Sequence, residues 1–451
     1  VDLVGRVTAM MKYVLGLFAA VVAVMVALFF YLSHGREAEL PESALQGRVP
    51  QMTDPKREIL PSVKIAKPVG WSAGAAPQAA KGLTVTRFAE GLSHPRSLYR
   101  LPNGDILVAE TNSPPRPQGS IVEWATAYFM GLAGAGGASP NRITLLRDTN
   151  GDGRADKRFV LLSGLNSPYG MALVGGDLYV ANTDALMVFP YKDGDTQITA
   201  KGRKVLNLPA DAPNNHWART LVANQDGTKL YIGVGSASNI GENGLEIEEN
   251  RACVLEFDLK TKEYVIYASG LRNPSGLAIN PDTGALWATV NERDMLGPDL
   301  VPDYMTEVEF AAFYGWPWNY WGGYEDRRVE PRRPELRQYT RRPDYGLGAH
   351  VAPLGIAFAK GADLGPDYAR GAFVALHGSW NRKPLAGYRL VWVAFDEAGH
   401  ALAKPKDVLT GFLNAEGQAQ GRPVDALVAA DGALLVSDDT GNMIWRVAKA
   451  K

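Results

Sequence analysis

Two hydrophobic patterns divide this chain. Residues 13–33, YVLGLFAAVVAVMVALFFYLS, carry no charge. At 1.5 Å rise per residue such a run forms a helix about 30 Å long, the thickness of a bilayer core. From about residue 83 onward the pattern changes to short apolar runs of strand length, broken by Gly-, Asn- and Asp-rich turns. Between the two, residues 34–80 hold six prolines and little periodicity, which predicts an extended tether. The expected organisation is therefore a membrane anchor over 1–33, a Pro-rich tether over 34–80 and a globular body over 81–451. Arg6 and Lys12 precede the apolar run and no small-x-small cleavage site follows it, so it reads as a retained anchor, with a cleaved signal peptide as the alternative.

Within the body one unit recurs, a polar loop followed by a hairpin. The copies are GLSHPRSLYRLPNGDILVAE from Gly91, GLNSPYGMALVGGDLYVAN from Gly164, NNHWARTLVANQDGTKLYIGV from Asn214 and GLRNPSGLAINPDTGALWATV from Gly270. Two more follow, APLGIAFA…GAFVALHG from Ala352 and GRPVDALVAADGALLVSDD from Gly421. Six such units fit an all-β fold, a six-bladed β-propeller with four strands per blade. If the ring closes, the residues leading into each hairpin meet at one end of the central channel. Those residues include His216, Arg219, Arg272, Asn273, His350 and Arg422. Cations gathered in one mouth repel each other and call for an anionic guest. Ile121, Trp124, Ala125, Tyr128, Phe129 and Leu132 fall at helical spacing, which predicts a flank helix or a second membrane contact.

A formal net charge of −1 gives no basis for a nucleic-acid partner. The single cysteine, Cys253, excludes an internal disulfide and sits in an apolar run, as a buried small hydrophobe does.

The motifs NNHWARTL, GLRNPSGLA, NERDMLGPDLVPDYMTEVEFAAFYGWPW, HVAPLGIAF, HGSWNRKP and GRPVDALV follow in that order. Together they resemble the blade motifs of the quinoprotein glucose dehydrogenases, more closely the sorbosone-dehydrogenase branch. The resemblance implies pyrroloquinoline quinone (PQQ) over a calcium ion at the mouth of the propeller. It implies His216 as the base that takes the substrate's hydroxyl proton, and Arg272 beside the reactive quinone carbonyls, both catalytic. Arg272, Asn273, His350, Arg382 and Arg422 are implied to hold the cofactor, with Arg382 standing in for a family lysine whose place Asn381 takes. Val424 stands where the family has a second arginine. Backbone carbonyls of Gly297 and Pro298 are implied to bind calcium.

A separate signal is DTNGDGRAD. Asp148, Asn150, Asp152 and Asp156 are spaced like positions 1, 3, 5 and 9 of a calcium loop, with Gly153 at the turn and Phe159 where the bidentate Glu would stand. The reading is a structural calcium site or a polar turn. The resemblance implies a membrane-anchored, PQQ-dependent dehydrogenase of an aldose or a sugar-derived aldehyde, in the inner membrane with its catalytic domain in the periplasm. Its electrons would pass to a cytochrome or membrane quinone. A calcium-dependent lactonase and a non-catalytic binding propeller are the alternatives.

Overall fold

The computed structural model describes residues 2–34, 36–58, 62–115, 128, 131–134 and 136–450. The apolar run lies in a helix, Asp2–His34, whose stretch Gly5–Ala27 has a mean hydropathy of 2.2 and is not covered by the rest of the chain.

The body is a six-bladed propeller. Blade 1 is Pro95–Arg100, Ile106–Glu110, Arg142–Arg147 and Lys157–Leu162, paired antiparallel in that order from the channel outward. Blade 2 is Met171–Val174, Asp177–Ala181, Ala185–Pro190 and Arg203–Asn207; blade 3 is Arg219–Ala223, Lys229–Val234, Cys253–Asp258 and Tyr264–Ser269. Blade 4 is Pro274–Ile279, Leu286–Val290, Pro302–Glu307 and Tyr345–Ala349; blade 5 is Pro353–Phe358, Gly371–Leu376, Arg389–Ala394 and Lys406–Thr410. Blade 6 closes the ring: Pro423–Val428, Leu434–Asp438 and Met443–Lys449 take Leu83–Ala89 as their outermost strand. The first body strand thus pairs with the last, so separating the chain ends breaks a whole ladder.

Each recurring hairpin forms the two inner strands of one blade. Between neighbouring blades lies an apolar cluster, six around the ring. The cluster between blades 6 and 1 joins Leu98, Ile106 and Val108 to Leu435 and Ile444. A blade buries its faces only against its neighbours, which is why single hairpins could not stand alone. Cys253 is buried within the blade 2–3 cluster, and burial pushes its thiol up to about 12.

The inner strands explain how the mouth is built. Four of them open with proline: Pro95, Pro274, Pro353 and Pro423. An inner strand is a sheet edge, where a missing N–H breaks no ladder. In all four the register shifts just after the proline. A bulge there re-aims the residues around it toward the mouth. His94 and Ala352, each just before such a proline, hold a φ of 52°, a left-handed conformation that L-residues seldom adopt and that is often found at functional sites.

The stretch expected as a free tether is laid along the propeller instead. Gln46 and Gly47 add a fifth strand to blade 4, pairing with Leu347 and Gly346. Gln78 and Ala79 do the same for blade 5, against Thr410 and Leu409. Leu45, Ser62 and Ala66 are fully buried. The prolines do keep this arm out of helices, but strand edges and apolar anchors bind it. Of the predicted helical stretch near residue 125, only Tyr128 and Leu132 fall among the described residues, and both are helical and exposed.

Candidate functional site

At the end of the ring where inner strands begin lies a cavity of about 250 Å³. Its wall includes His216, Asn273, Arg422, His377, Arg96 and Asp439. His216 comes from the loop ahead of blade 3. Its Nδ1 lies 2.8 Å from the backbone oxygen of Ser236, an acceptor only, so Nδ1 carries the proton and Nε2 is the basic nitrogen. Burial, then the nearby charge of Arg272, pushes His216 down to about 3, so the ring is neutral across the physiological range. Gly235 makes room for this arrangement. A Cβ there would stand 2.5 Å from the Cβ of His216 and 2.5 Å from Oδ1 of Asn273.

Arg219, expected at the mouth, lies fully buried behind it. Its guanidinium donates to the backbone oxygen of His216 at 2.5 Å, to that of Pro209 at 2.6 Å and to Asn214 Oδ1 at 3.1 Å. Arg251 reaches the same Asn214 oxygen at 2.9 Å. Two buried cations therefore tie down the loop that presents His216. Burial and the charge of Arg251 bring Arg219 down to about 9.

Across the cavity stands a charged group with Asp439 at its centre. Arg96 donates to Asp439 Oδ2, and His377 Nε2 lies 3.0 Å from the same oxygen. Burial alone would raise Asp439, but the facing His377 and Arg96 outweigh it and hold the carboxylate well below its usual range. Arg96 also lies over the rings of Tyr169 and Trp217, at 5.8 and 6.0 Å. Arg422 stacks on Tyr388 at 5.4 Å and donates to its hydroxyl at 3.3 Å. The Nε atoms of Arg96 and Arg422 are buried without a partner. Two guanidinium groups with unused donors, against one carboxylate already shared, fit an anionic guest.

Sequence reasoning missed Arg96, His377 and Asp439. The signal was present for all three. Arg96 follows the proline of the first repeat, and His377 and Asp439 directly follow the second strands of the last two.

The remaining expected residues meet in a second cluster, on the 291–301 loop of blade 4. Arg272, 5 % exposed, is not in the cavity wall. Its guanidinium donates to the backbone oxygens of Glu292 at 2.7 Å and Asn239 at 3.1 Å, and pairs with Asp294 at 3.3 Å. His350 Nδ1 lies 3.6 Å from Asp294, and Asn381 Nδ2 donates to that carboxylate at 2.7 Å. Burial would raise Asp294, but the His350 bond and the Arg272 charge bring it down to about 2. Arg382 is also turned into this loop, bonded to the Pro298 oxygen at 2.9 Å and to Asp299 at 3.1 Å. His350 Nε2 donates to the Gly297 oxygen at 3.1 Å. Both carbonyls expected to face calcium therefore face donors, one a guanidinium, and Arg382 holds this loop rather than the cavity. The loop's length and its acidic residues make the difference: Asp294 and Asp299 draw the nearby cations inward.

Asp148, Asn150, Asp152 and Asp156 share one loop at the opposite end of blade 1. Asp148 accepts from the N–H groups of Gly151 and Gly153 at 2.8 Å, Asn150 from Asp152 at 3.0 Å, and Asp156 from Thr149 at 2.8 Å. In this structure the loop is a self-bonded polar turn. Among the described residues no group of three His, Cys, Asp or Glu side chains is disposed to hold a metal.

A family profile described as TrAA12-like matches residues 138–302 and 335–450. The chain belongs to the AA12-like family of PQQ-dependent sugar dehydrogenases. Its fold is similar to a Trichoderma reesei structure of Carbohydrate-Active Enzymes Family AA12, with a TM-score of 0.68 at 19 % identity over 86 % of this chain and 99 % of that one. The PQQ domain of a Coprinopsis cinerea pyranose dehydrogenase, in its holo form, gives 0.67 at 21 % identity over 86 % and 100 %. In sequence, an uncharacterized Borreliella burgdorferi protein is 27 % identical over 81 % of this chain and 93 % of its own. An Escherichia coli aldose sugar dehydrogenase is 30 % identical over 24 % of this chain and 28 % of its own.

Proposed function

We propose that this chain is a membrane-anchored, PQQ-dependent dehydrogenase of a sugar or sugar-derived aldehyde, its body in the periplasm and its electrons passed to a cytochrome or membrane quinone. One observation carries this reading: a histidine with a free basic nitrogen shares a cavity with two arginines whose Nε donors are unused. The cofactor, when bound, supplies the hydride acceptor. Arg96, Arg422, His377 and Asn273 are the residues disposed to hold its carboxylates and carbonyls. His216 accepts the substrate's hydroxyl proton at Nε2, since its Nδ1–H is committed to Ser236. Arg219 and Arg251 act through His216 by fixing its loop. Burial first, and then the charge of Arg272, keep the His216 imidazole neutral before substrate binds. Calcium is assigned no step here, because the Gly297 and Pro298 oxygens are engaged by His350 and Arg382.

The test is His216→Asn. Turnover should fall by about 10²–10⁴-fold, the range for losing a general base, with PQQ affinity little changed. A variant keeping more than about a tenth of wild-type turnover, with chemistry rate-limiting, removes His216 from the role.

A further inference from the structure

We infer that the propeller sits with its cavity-bearing face against the bilayer, so that the mouth opens toward the membrane surface. The inference rests on the anchor reading of the N-terminal helix and adds an orientation to it. The helix ends at His34. Only a few residues on, the chain is already fastened: Ala38 N donates to the Lys383 oxygen at 2.7 Å, and Glu39 N to Asp299 Oδ2 at 2.7 Å. Both partners lie in loops joining the second and third strands of a blade, 377–388 in blade 5 and 291–301 in blade 4. These loops belong to the mouth face, since His377 from one and Asn291 from the other line the cavity.

The distances leave little freedom. Four residues of fully extended chain, from His34 to Ala38, reach at most about 14 Å. A folded body of about 370 residues has a radius of gyration of roughly 21 Å. A leash that short cannot carry the helix end around to the opposite face. The arm that follows makes the attachment firm, being paired into blades 4 and 5.

The rim of the same face carries exposed apolar side chains. Trp380 is 38 % exposed, Leu132 43 %, Val69 48 % and Tyr128 53 %. Trp and Tyr favour the membrane–water interface. A mouth in this position suits an electron acceptor that resides in or on the membrane. Substrate would enter from the gap between rim and bilayer.

The full chain, reconstituted in vesicles whose headgroups carry a nitroxide quencher, tests this. Cys253 is buried, so one introduced cysteine can be labelled selectively. Trp380→Cys and Leu132→Cys report the mouth face, and Glu397→Cys the opposite one, where its side chain is 91 % exposed. The expected result is strong loss of fluorescence at 380 and 132 and little at 397. Vesicle-bound protein quenched equally on both faces, or more at 397, overturns the orientation and leaves the anchor standing. Protein that stays in the supernatant with its N-terminus beyond His34 overturns the anchor, and the orientation with it.

Discussion

Replacing Trp71 by phenylalanine asks whether the arm over 36–80 is part of the fold. Trp71 Nε1 donates to Asp438 Oδ2 at 2.7 Å, and its ring meets Phe412 and Trp445 edge-on at 5.6 and 5.2 Å. Phenylalanine keeps most of that ring contact and removes only the donor. A hydrogen bond to a charged group contributes about 1.5–3 kcal/mol. Asp438 keeps three other donors, Trp445 Nε1 at 3.1 Å and the N–H groups of Arg422 and Gly441 at 2.8 and 2.7 Å. The loss should therefore lie near the lower end, about 1.5–2 kcal/mol. It should also depend on pH. Burial already holds Asp438 up at about 6, so at pH 8 the bond serves a carboxylate and at pH 5 a mostly neutral acid. The destabilisation should accordingly be larger at pH 8. Urea unfolding of detergent-solubilised protein, followed by far-UV circular dichroism, should show a lower midpoint with an unchanged slope. A midpoint that does not move at either pH would refute the claim that the arm is built into the fold.

Other expectations follow from the same geometry. A chain beginning near residue 40 keeps the added strands of blades 4 and 5 and should be soluble and active, whereas one beginning at 81 should unfold at lower urea concentration. Arg422→Ala and Arg96→Ala should each weaken PQQ binding by about 1.5–3 kcal/mol by calorimetry, and the double variant should be non-additive because both serve one anion; full additivity would place them at separate sites. His216 is pushed down to about 3 from an ordinary 6.5, so below pH 6.5 the unfolded chain binds the proton that the folded one refuses, and stability is lost as pH falls. His216→Asn removes that loss and should gain up to about 2 kcal/mol relative to wild type between pH 8 and pH 5; a pH-independent difference would show that His216 titrates normally. Gly235→Ala should lower turnover and also the urea midpoint, because its Cβ would force the His216 Cβ and the Asn273 amide apart together; undiminished turnover would show that their close approach is unimportant.

The ring was legible because each repeat carries its own turn and strand signals, and all six hairpins fall on the inner strands of the blades. The arm was not. Gln46–Gly47 and Gln78–Ala79 are strands of two residues, too short to show alternation and formed only because an outer blade edge offers partners. His216, Asn273 and Arg422 were placed in one cavity by their position ahead of an inner strand. Arg272 and Arg382 occupy loops the motifs do point to, but the direction of a long guanidinium depends on which carboxylate it finds. Asp294 and Asp299 decide that, and sequence spacing says nothing about either contact. His377 owes its place in the site to Asp439, which lies 62 residues away in sequence, a contact that no local motif announces.

The central claim is that the cavity holds PQQ and that His216 acts beside it. Protein produced without PQQ should be inactive toward a panel of sugars and aldehydes with an artificial dye as acceptor, and should gain activity on titration with PQQ to a stoichiometric end point. The His216→Asn protein should bind PQQ with the same end point and remain nearly inactive. Failure of calorimetry to detect PQQ binding to the folded protein would contradict the account.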